Sequence, residues 1–479
     1  METSELCYTP ATELAPAIRR REISCVELLE AVLERVDRLN PKLNAFATLL
    51  PDEARAAAKR ADAAVSDGAE LGPLHGIPFT LKDLTPTKGI RTTLGSKAFA
   101  ENVPEQNAVF VDRLLAAGGV FFAKTTTPEF GNKALCDSPL FGETNNPWKT
   151  THVAGGSSGG AAAAVASGLG PIAEGSDAGG SIRVPASCCG IVGLKASYGR
   201  IPYYPGFSPF ETVIHFGPMT RTVADAALML QVMAGPDPRD VYSIEDRDFD
   251  FPAAVREPDI SGWRVAYSRT FGFNQVEAEV VEATDRAARV FESELGAHVE
   301  EVDPDVPDPR EPEITFWRAF EGLIAHDLVL PGLASIDDMD VHLRELMEEG
   351  EKISAWELYR ATVLFRGEFY WRMHAFFEHY DFLLTPTLTV VPFPHPGGPA
   401  GPAEINGEPI ERFAGWHLTY PFNMTGQPAI TVPCGFSREG LPIGLQIAGR
   451  RHADADVLRA AAAYERAAPW AGKRPPIND

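Results

Sequence analysis

Two short segments rich in glycine and serine constrain this chain more than any other feature of its sequence. The first, GGSSGG at 155–160, places two serines among four glycines ahead of a run of alanines, and the second, GSDAGGSIR, spans 175–183. Glycine loses more conformational entropy on folding than any other residue, so an ordered chain must gain something from such backbone. Between them, AAAAVASGLG predicts a helix of small residues that begins at the first serine pair.

The second segment has the composition of a site that stabilises negative charge. Ala178, Gly179, Gly180 and Ser181 offer consecutive N–H groups without bulky side chains, which is what an oxyanion hole requires. The helix that starts at the first serine pair adds unpaired N–H groups and the positive end of its dipole. A serine in this environment still needs a base to take its proton before it acts as a nucleophile.

Lys82 is the candidate for that base. It lies near the end of the apolar segment HGIPFTLKD at 75–83, which predicts a buried strand. Burial disfavours the charged form of lysine and lowers its pKa, so that a neutral amine is present at working pH. The alternative interpretation is a surface ion pair with Asp83, because lysine is rarely buried. The combination with the serine segments favours the base.

Helical and strand patterns alternate along the chain, which indicates an α/β fold. Capping boxes predict helices after Ser24 and Ser354, the first ending at Asn40-Pro41 and the second reaching Tyr380, and Thr222 with Asp225 caps a third. The strand candidates are VFFAK, FLLTPTLTVVPF, and the pair PAITVPCGF and GLPIGLQIAG, joined by a Ser-Arg-Glu-Gly turn. The acidic, proline-rich stretch at 236–352 is predicted to lie outside the central sheet.

Composition excludes several classes of protein. The 479 residues include 43 Lys and Arg against 66 Asp and Glu, and the net charge of −23 repels nucleic acid and anionic lipid. The sequence METSELCYTP has no export-signal pattern, and no apolar run approaches about 18 residues, so we expect a cytoplasmic protein without a membrane partner. Six scattered cysteines and eleven histidines form no metal-binding pattern, and we expect neither metal nor cofactor.

Several longer motifs make the chain resemble the amidase signature family. They are GIPFTLKDL, AKTTTPEF, NNPW, AGGSSGGAAAAVA, EGSDAGGSIRVPASCCGIVGLKASYGR, GPMTRTVADAALML, and the C-terminal QPAITVPCGF and GLPIGLQIAGR. The resemblance implies the amidase signature fold, an α/β architecture in which α-helices cover both faces of a large twisted mixed β-sheet. It also implies one domain over 1–479, with about 236–380 as a variable substrate-side region.

The resemblance further implies a Ser-cisSer-Lys triad that forms an acyl-enzyme. By the family's spacing, Ser181 is the nucleophile, Ser157 the bridging serine and Lys82 the base, with the N–H groups of 178–181 as the oxyanion hole. The peptide bond between Gly156 and Ser157 is then cis. Glycines on either side allow the backbone to adopt this form.

Residues beside the triad are predicted to support it. Ser158 either orients the network by hydrogen bonding or caps the following helix. Asp177 and Arg183 are interpreted as a structural ion pair that holds the oxyanion loop, in preference to a substrate contact. Four more motif residues are interpreted as structural or core: Lys124, Lys195, Cys188 and Cys189.

Three other classes of protein are alternatives to a stand-alone amidase. GGSSG matches the nucleophile elbow of α/β-hydrolases, but the preceding NNPWKTTHVA is not strand-like. A nitrilase-type hydrolase needs a cysteine in a catalytic context, and none of the six has one. The family also contains the amidase subunit of a tRNA-dependent glutamine amidotransferase, which remains the main alternative. The aromatic-rich stretch ISAWELYRATVLFRGEFYWRMHAFFEHYDFLLTPT favours a stand-alone amidase.

Aromatic residues predict an apolar substrate. We expect the pocket to include Phe141, Phe207, Phe210 and Phe369, because they flank the catalytic segment or lie in the aromatic helix. Such a pocket suits hydrophobic or aryl amides, and the same acyl chemistry extends to esters and carbamates (urethanes). The sequence leaves open a monomer or a homodimer.

Overall fold

A computed structural model describes residues 3–329, 331–397 and 401–478. Eleven strands form one mixed sheet with helices packed around it, which confirms the predicted α/β class. The strands are β1 Phe46–Leu49, β2 Pro78–Lys82, β3 Val120–Thr125, β4 Ile172–Asp177, β5 Val192–Lys195, β6 His215–Thr220, β7 Arg264–Tyr267, β8 His298–Glu301, β9 Phe382–Pro386, β10 Ala429–Phe436 and β11 Pro442–Gly449.

The strands lie in the order β1-β3-β2-β4-β6-β5-β10-β11-β9-β7-β8. β2 is parallel to both β3 and β4, and every residue of β2 is buried, as its apolar sequence predicts. β10 and β11 form the predicted antiparallel hairpin through a turn that Ser437 N closes onto Leu441 O at 2.8 Å. Three short two-stranded sheets lie outside the large one.

The helices surround this sheet. They are α1 Thr3–Tyr8, α2 Ala11–Arg19, α3 Cys25–Leu43, α4 Pro51–Ser66, α5 Val109–Ala116, α6 Gly159–Ala166, α7 Arg183–Cys189, α8 Val223–Met233, α9 Phe251–Arg256, α10 Ala278–Ser293, α11 Arg310–Ile324, α12 Val341–Gly350, α13 Ala355–Tyr359, α14 Arg366–His379, α15 Pro421–Thr425 and α16 Asp454–Ala467. Within the described ranges, no helix combines the length and apolar character needed to cross a membrane.

One predicted helix end is wrong, and one predicted helix is divided. α3 continues through Pro41 to Leu43, because Leu39 and Leu43 lie one turn apart on the buried face and keep the last turn packed. The second helix is also interrupted, since a π-helical segment at Arg360–Phe365 separates α13 from α14. The capping boxes that start α3 at Ser24 and α13 at Ser354 are both present.

The third predicted cap is only half formed. Thr222 Oγ1 accepts a hydrogen bond from Asp225 N at 3.2 Å and starts α8. The Asp225 carboxylate turns away from Thr222 and accepts from Ala11 N at 3.0 Å and Thr12 N at 2.8 Å, so it caps α2. One carboxylate therefore joins two helices that are distant in sequence.

The prediction that 236–352 lies outside the sheet is wrong for two strands. β7 is parallel to β9, and β8 is parallel to β7 and forms the edge of the sheet. An edge strand lacks a continuous apolar run, and β8 is mostly exposed, so its pattern resembles that of a loop. The remainder of this stretch is helical or irregular.

Candidate active site

Lys82 lies at the carboxyl end of β2 and is completely buried. Its Nζ lies 2.7 Å from Ser157 Oγ and 3.0 Å from Ser176 Oγ. Burial lowers the pKa of Lys82 to about 8, against the opposing effect of the Glu174 carboxyl, whose own pKa is raised by burial. The amine is thus hydrogen-bonded to two hydroxyls and is readily present in its neutral form. The alternative, a surface pair with Asp83, does not form, since Asp83 is buried and accepts hydrogen bonds from Thr93.

The backbone that carries Ser157 is tightly packed. The peptide bond between Gly156 and Ser157 is cis. A Cβ on Gly156 would collide with the carbonyl group of Leu135, and one on Gly159 would collide with the side chain of Cys136. These glycines therefore allow the serine segment to lie directly against the chain at 135–136, which brings Ser157 Oγ to the lysine.

Ser158 occupies the N-cap position of α6, but its side chain makes no capping hydrogen bond. Ser158 Oγ instead donates to Ser176 O at 3.3 Å, and Ser158 N donates to Ser181 O at 3.1 Å. The side-chain cap is therefore absent, and Ser158 instead joins the two serine segments by hydrogen bonds; its role in orienting the network stays a prediction.

Ser181 lies in the loop between β4 and α7. Within the described residues, the N–H groups of Ala178, Gly179, Gly180 and Ser181 find no hydrogen-bond acceptor, so they are available to a ligand. Gly180 has φ +142°, and a Cβ there would collide with the side chain of Thr419. Ser181 and Ser157 line the same cavity, but no hydrogen bond joins their hydroxyls in the structure.

Asp177 and Arg183 form a completely buried ion pair, with Arg183 Nη2 2.9 Å from Asp177 Oδ1. Burial alone would raise the pKa of Asp177, but the guanidinium holds it well below its usual range. Arg183 also donates to Thr419 O, Gln446 Oε1 and Asn423 Oδ1 at 2.6–2.7 Å. These contacts connect the residues on either side of the loop at 178–181 to the C-terminal part of the chain, and substitution of Arg183 tests the predicted structural role.

Replacing Arg183 with methionine should destabilise the protein strongly. The substitution leaves the Asp177 carboxylate buried without its partner, which costs about 3–5 kcal/mol of the free energy of unfolding. Urea unfolding followed by tryptophan fluorescence measures this loss. R20M, at the exposed Arg20–Glu22 pair, is the control and should unfold close to the wild type. An R183M midpoint equal to that of R20M would contradict this role.

The residues interpreted as structural are all buried. Lys124 Nζ donates to Thr85 O and Thr87 Oγ1, and Lys195 Nζ donates to Gln427 O. Cys188 and Cys189 are core residues, as predicted, and burial raises the pKa of both thiols.

Among the described residues, no group of histidine, cysteine and acidic side chains has the arrangement of a metal site.

A cavity of about 430 Å³ opens beside the serines and is mainly apolar. Ser157, Ser176, Ala178 and Ser181 form its polar end. Its aromatic walls are Phe110, Phe130, Tyr203, Tyr204, Phe207, Phe216, Trp317 and Phe320. The predicted apolar pocket is therefore present, and Phe207 contributes to its outer rim with 68% of its surface exposed.

Three of the four predicted pocket residues are not in its lining. Phe369 is fully buried in a second hydrophobic core with Phe377 and Leu383, because it lies on the sheet-facing side of α14. Phe141 packs beneath Arg91, and Phe210 is 70% exposed. Ser176 has no predicted role, although it lies in the same glycine-rich segment as Ser181. Most of the aromatic walls could not be predicted, because they come from separate segments that only the fold brings together.

A family model described as Amidase matches residues 27–458, so the chain belongs to the amidase family. It is 42% identical to the acylamidase of Rhodococcus erythropolis over 99% of this chain and 98% of that protein. A glutamyl-tRNA(Gln) amidotransferase subunit from Moorella thermoacetica is 36% identical over 99% of both chains. The crystal structure of a bacterial aryl acylamidase of the amidase signature family matches with a TM-score of 0.92 and 33% identity, over 97% of this chain and 99% of that one. The chain is thus an amidase, as predicted.

Proposed function

We propose that this protein cleaves the C–N bond of apolar or aryl amides through a Ser-cisSer-Lys triad and an acyl-enzyme. The observation that carries the proposal is the 2.7 Å contact between Lys82 Nζ and Ser157 Oγ, buried at the polar end of an apolar cavity that Ser181 also lines. A lysine whose pKa is lowered by burial supplies the base that serine chemistry requires.

The proposed mechanism uses these three residues in turn, with Ser181 moving into hydrogen-bond contact with Ser157 when substrate binds. Lys82 takes the Ser157 proton while Ser157 takes the proton of Ser181, and Ser181 Oγ attacks the substrate carbonyl. The oxygen of the tetrahedral intermediate accepts hydrogen bonds from the free N–H groups of 178–181. Ser157 returns a proton to the leaving nitrogen, and the C–N bond breaks. Water then attacks the acyl-enzyme by the same proton path and releases the acid.

The cavity defines the substrate class. Its lining is mainly apolar and aromatic, although Thr92, Asn102, Glu105 and Gln106 also line it away from the serines. This lining favours a flat or branched apolar group on one side of the scissile bond. The similarity to an acylamidase and to an aryl acylamidase supports the same class. Because ester and carbamate carbonyls react with serine by the same steps, we extend the proposal to these bonds.

The second candidate is a glutamine amidotransferase subunit, which the 36% identity to a protein of that kind favours. That function requires a polar site for glutamine and partner chains. The apolar walls of the cavity beside Ser181 favour the stand-alone amidase.

A substrate panel separates the two candidates. The purified chain alone should hydrolyse the p-nitroanilide of an apolar acid, with weaker or comparable turnover of a p-nitrophenyl ester and an aryl carbamate, and should leave glutamine intact. Release of p-nitroaniline measures hydrolysis of the p-nitroanilide, and release of ammonia measures hydrolysis of glutamine. Glutamine hydrolysis without turnover of any aryl substrate would contradict the proposal.

A further inference from the structure

A second, smaller chamber of about 30 Å³ lies beside the loop at 178–181. Gly179, Gly180 and Ser181 contribute to its lining, and Gly131, Ser181 and Trp317 line both this chamber and the large cavity. A volume of this size is enough for a water molecule. Of the three residues in the proposed proton path, Ser181 lines this chamber, whereas Ser157 and Lys82 do not.

The chamber contains a carboxyl group that the proposed mechanism does not use. Glu313, near the start of α11, is 5% exposed, and its Oε1 accepts a hydrogen bond from Trp317 Nε1 at 2.9 Å. A Cβ placed on Gly179 would lie 3.3 Å from the same oxygen. The carboxyl group therefore lies directly against the backbone whose N–H groups are proposed to hold the oxyanion.

The surroundings of Glu313 compensate its negative charge poorly. Burial raises the pKa of Glu313 to about 7, although the Trp317 hydrogen bond and Arg366 favour the charged form. Lys133, which shares the chamber, is paired with Asp137 and Asp340 at 2.8 Å. Three other groups face Glu313 and add no positive charge near neutral pH. Asp177 is an anion, the pKa of His417 is lowered to about 4, and the pKa of Tyr420 is raised.

We infer that Glu313 is a positioning residue for the reaction, whose charge acts on the oxyanion through the loop at 178–181. When its carboxyl is neutral, the loop amides face the substrate oxygen unopposed. When it is ionised, a negative charge behind Gly179 opposes the negative charge that develops on that oxygen. The inference rests on the proposed function and adds to it a control of rate by pH.

The test compares E313Q with the wild type in single-turnover release of p-nitroaniline from pH 6 to 9. Glutamine keeps the shape of the side chain and its acceptor for Trp317 but never ionises. The rate ratio of E313Q to wild type should be near one at pH 6 and rise to about tenfold at pH 9. E321Q is the matched control, because Glu321 is a buried carboxyl on the same helix but lines neither chamber, and its ratio should be independent of pH.

A second variant protects the test against a simple folding defect. W317F removes the N–H group that stabilises the Glu313 carboxylate, so the pKa of Glu313 should rise and the loss of rate should move to higher pH. Parallel pH profiles for E313Q and wild type, with both folded by circular dichroism, would overturn the inference. The proposed function fails separately, by the absence of wild-type turnover at every pH.

Discussion

Purified S181A is expected to lose turnover of aryl amides by about four orders of magnitude or more, while folding like the wild type. Ser181 has no hydrogen-bonded partner among the described side chains, and it lies at the polar end of the cavity next to four unsatisfied N–H groups. The substitution therefore removes the nucleophile without removing a side-chain hydrogen bond that supports the fold. Steady-state rates with a p-nitroanilide, at enzyme concentrations high enough to detect slow turnover, measure the loss.

S187A is the matched control for this substitution. Ser187 is a buried serine of α7, a short distance beyond Ser181 in the sequence, and it does not line the cavity. Its variant should retain turnover within a few-fold of the wild type, about what a small change in packing produces. If S181A kept half of the wild-type rate, another residue would have to be the nucleophile.

K82M should lower the single-turnover rate by about three to four orders of magnitude, because it removes the group that accepts the proton. The wild-type rate should rise with pH as the Lys82 amine, whose pKa burial lowers to about 8, loses its proton. The residual activity of K82M should lack this rise. Stopped-flow measurements from pH 6 to 10 give the loss of rate in K82M and the rise of the wild-type rate with pH. Repeating the comparison in protein that also carries E313Q removes the opposing effect of Glu313 on the pH profile.

Lys124 offers a stringent control. It is as buried as Lys82, and burial lowers its pKa to about 8 as well, but its Nζ contacts Thr85 and Thr87 and no serine. K124M should therefore lower the melting temperature, because it removes the buried hydrogen bonds that Lys124 donates to Thr85 O and Thr87 Oγ1, and should retain the rise of rate with pH. Loss of the rise in K124M together with its survival in K82M would assign the base to Lys124.

The sequence predicts the parts of the site that depend on local chemistry. The apolar run ending at Lys82 predicts a buried strand, and this strand is present. Glycines beside Ser157 are predicted to let the backbone adopt a cis peptide bond, and the bond between Gly156 and Ser157 is cis. Contacts between residues that are distant in sequence could not be predicted from local patterns. Asp225 caps a helix about 200 residues away in sequence, which no local pattern indicates.

The pocket shows the same limit. Phe369 and Phe216 are both aromatic residues in apolar surroundings, yet one packs in the core and the other lines the cavity. Which one faces the substrate depends on how α14 and β6 are oriented in the assembled fold. The position of Glu313 could not be predicted either, because nothing in an acidic, proline-rich sequence indicates that one of its acidic residues is buried.

The most direct test of the central claim is to locate the acyl group. Enzyme mixed with a p-nitrophenyl ester of an apolar acid and quenched in acid should carry one acyl group, found by intact mass. Trypsin leaves Ser157 and Ser181 together in the peptide 150–183, so a second cleavage before Asp177 is needed to separate them. We predict the adduct on the fragment with Ser181 and none in S181A. An adduct on the fragment with Ser157 would contradict the account.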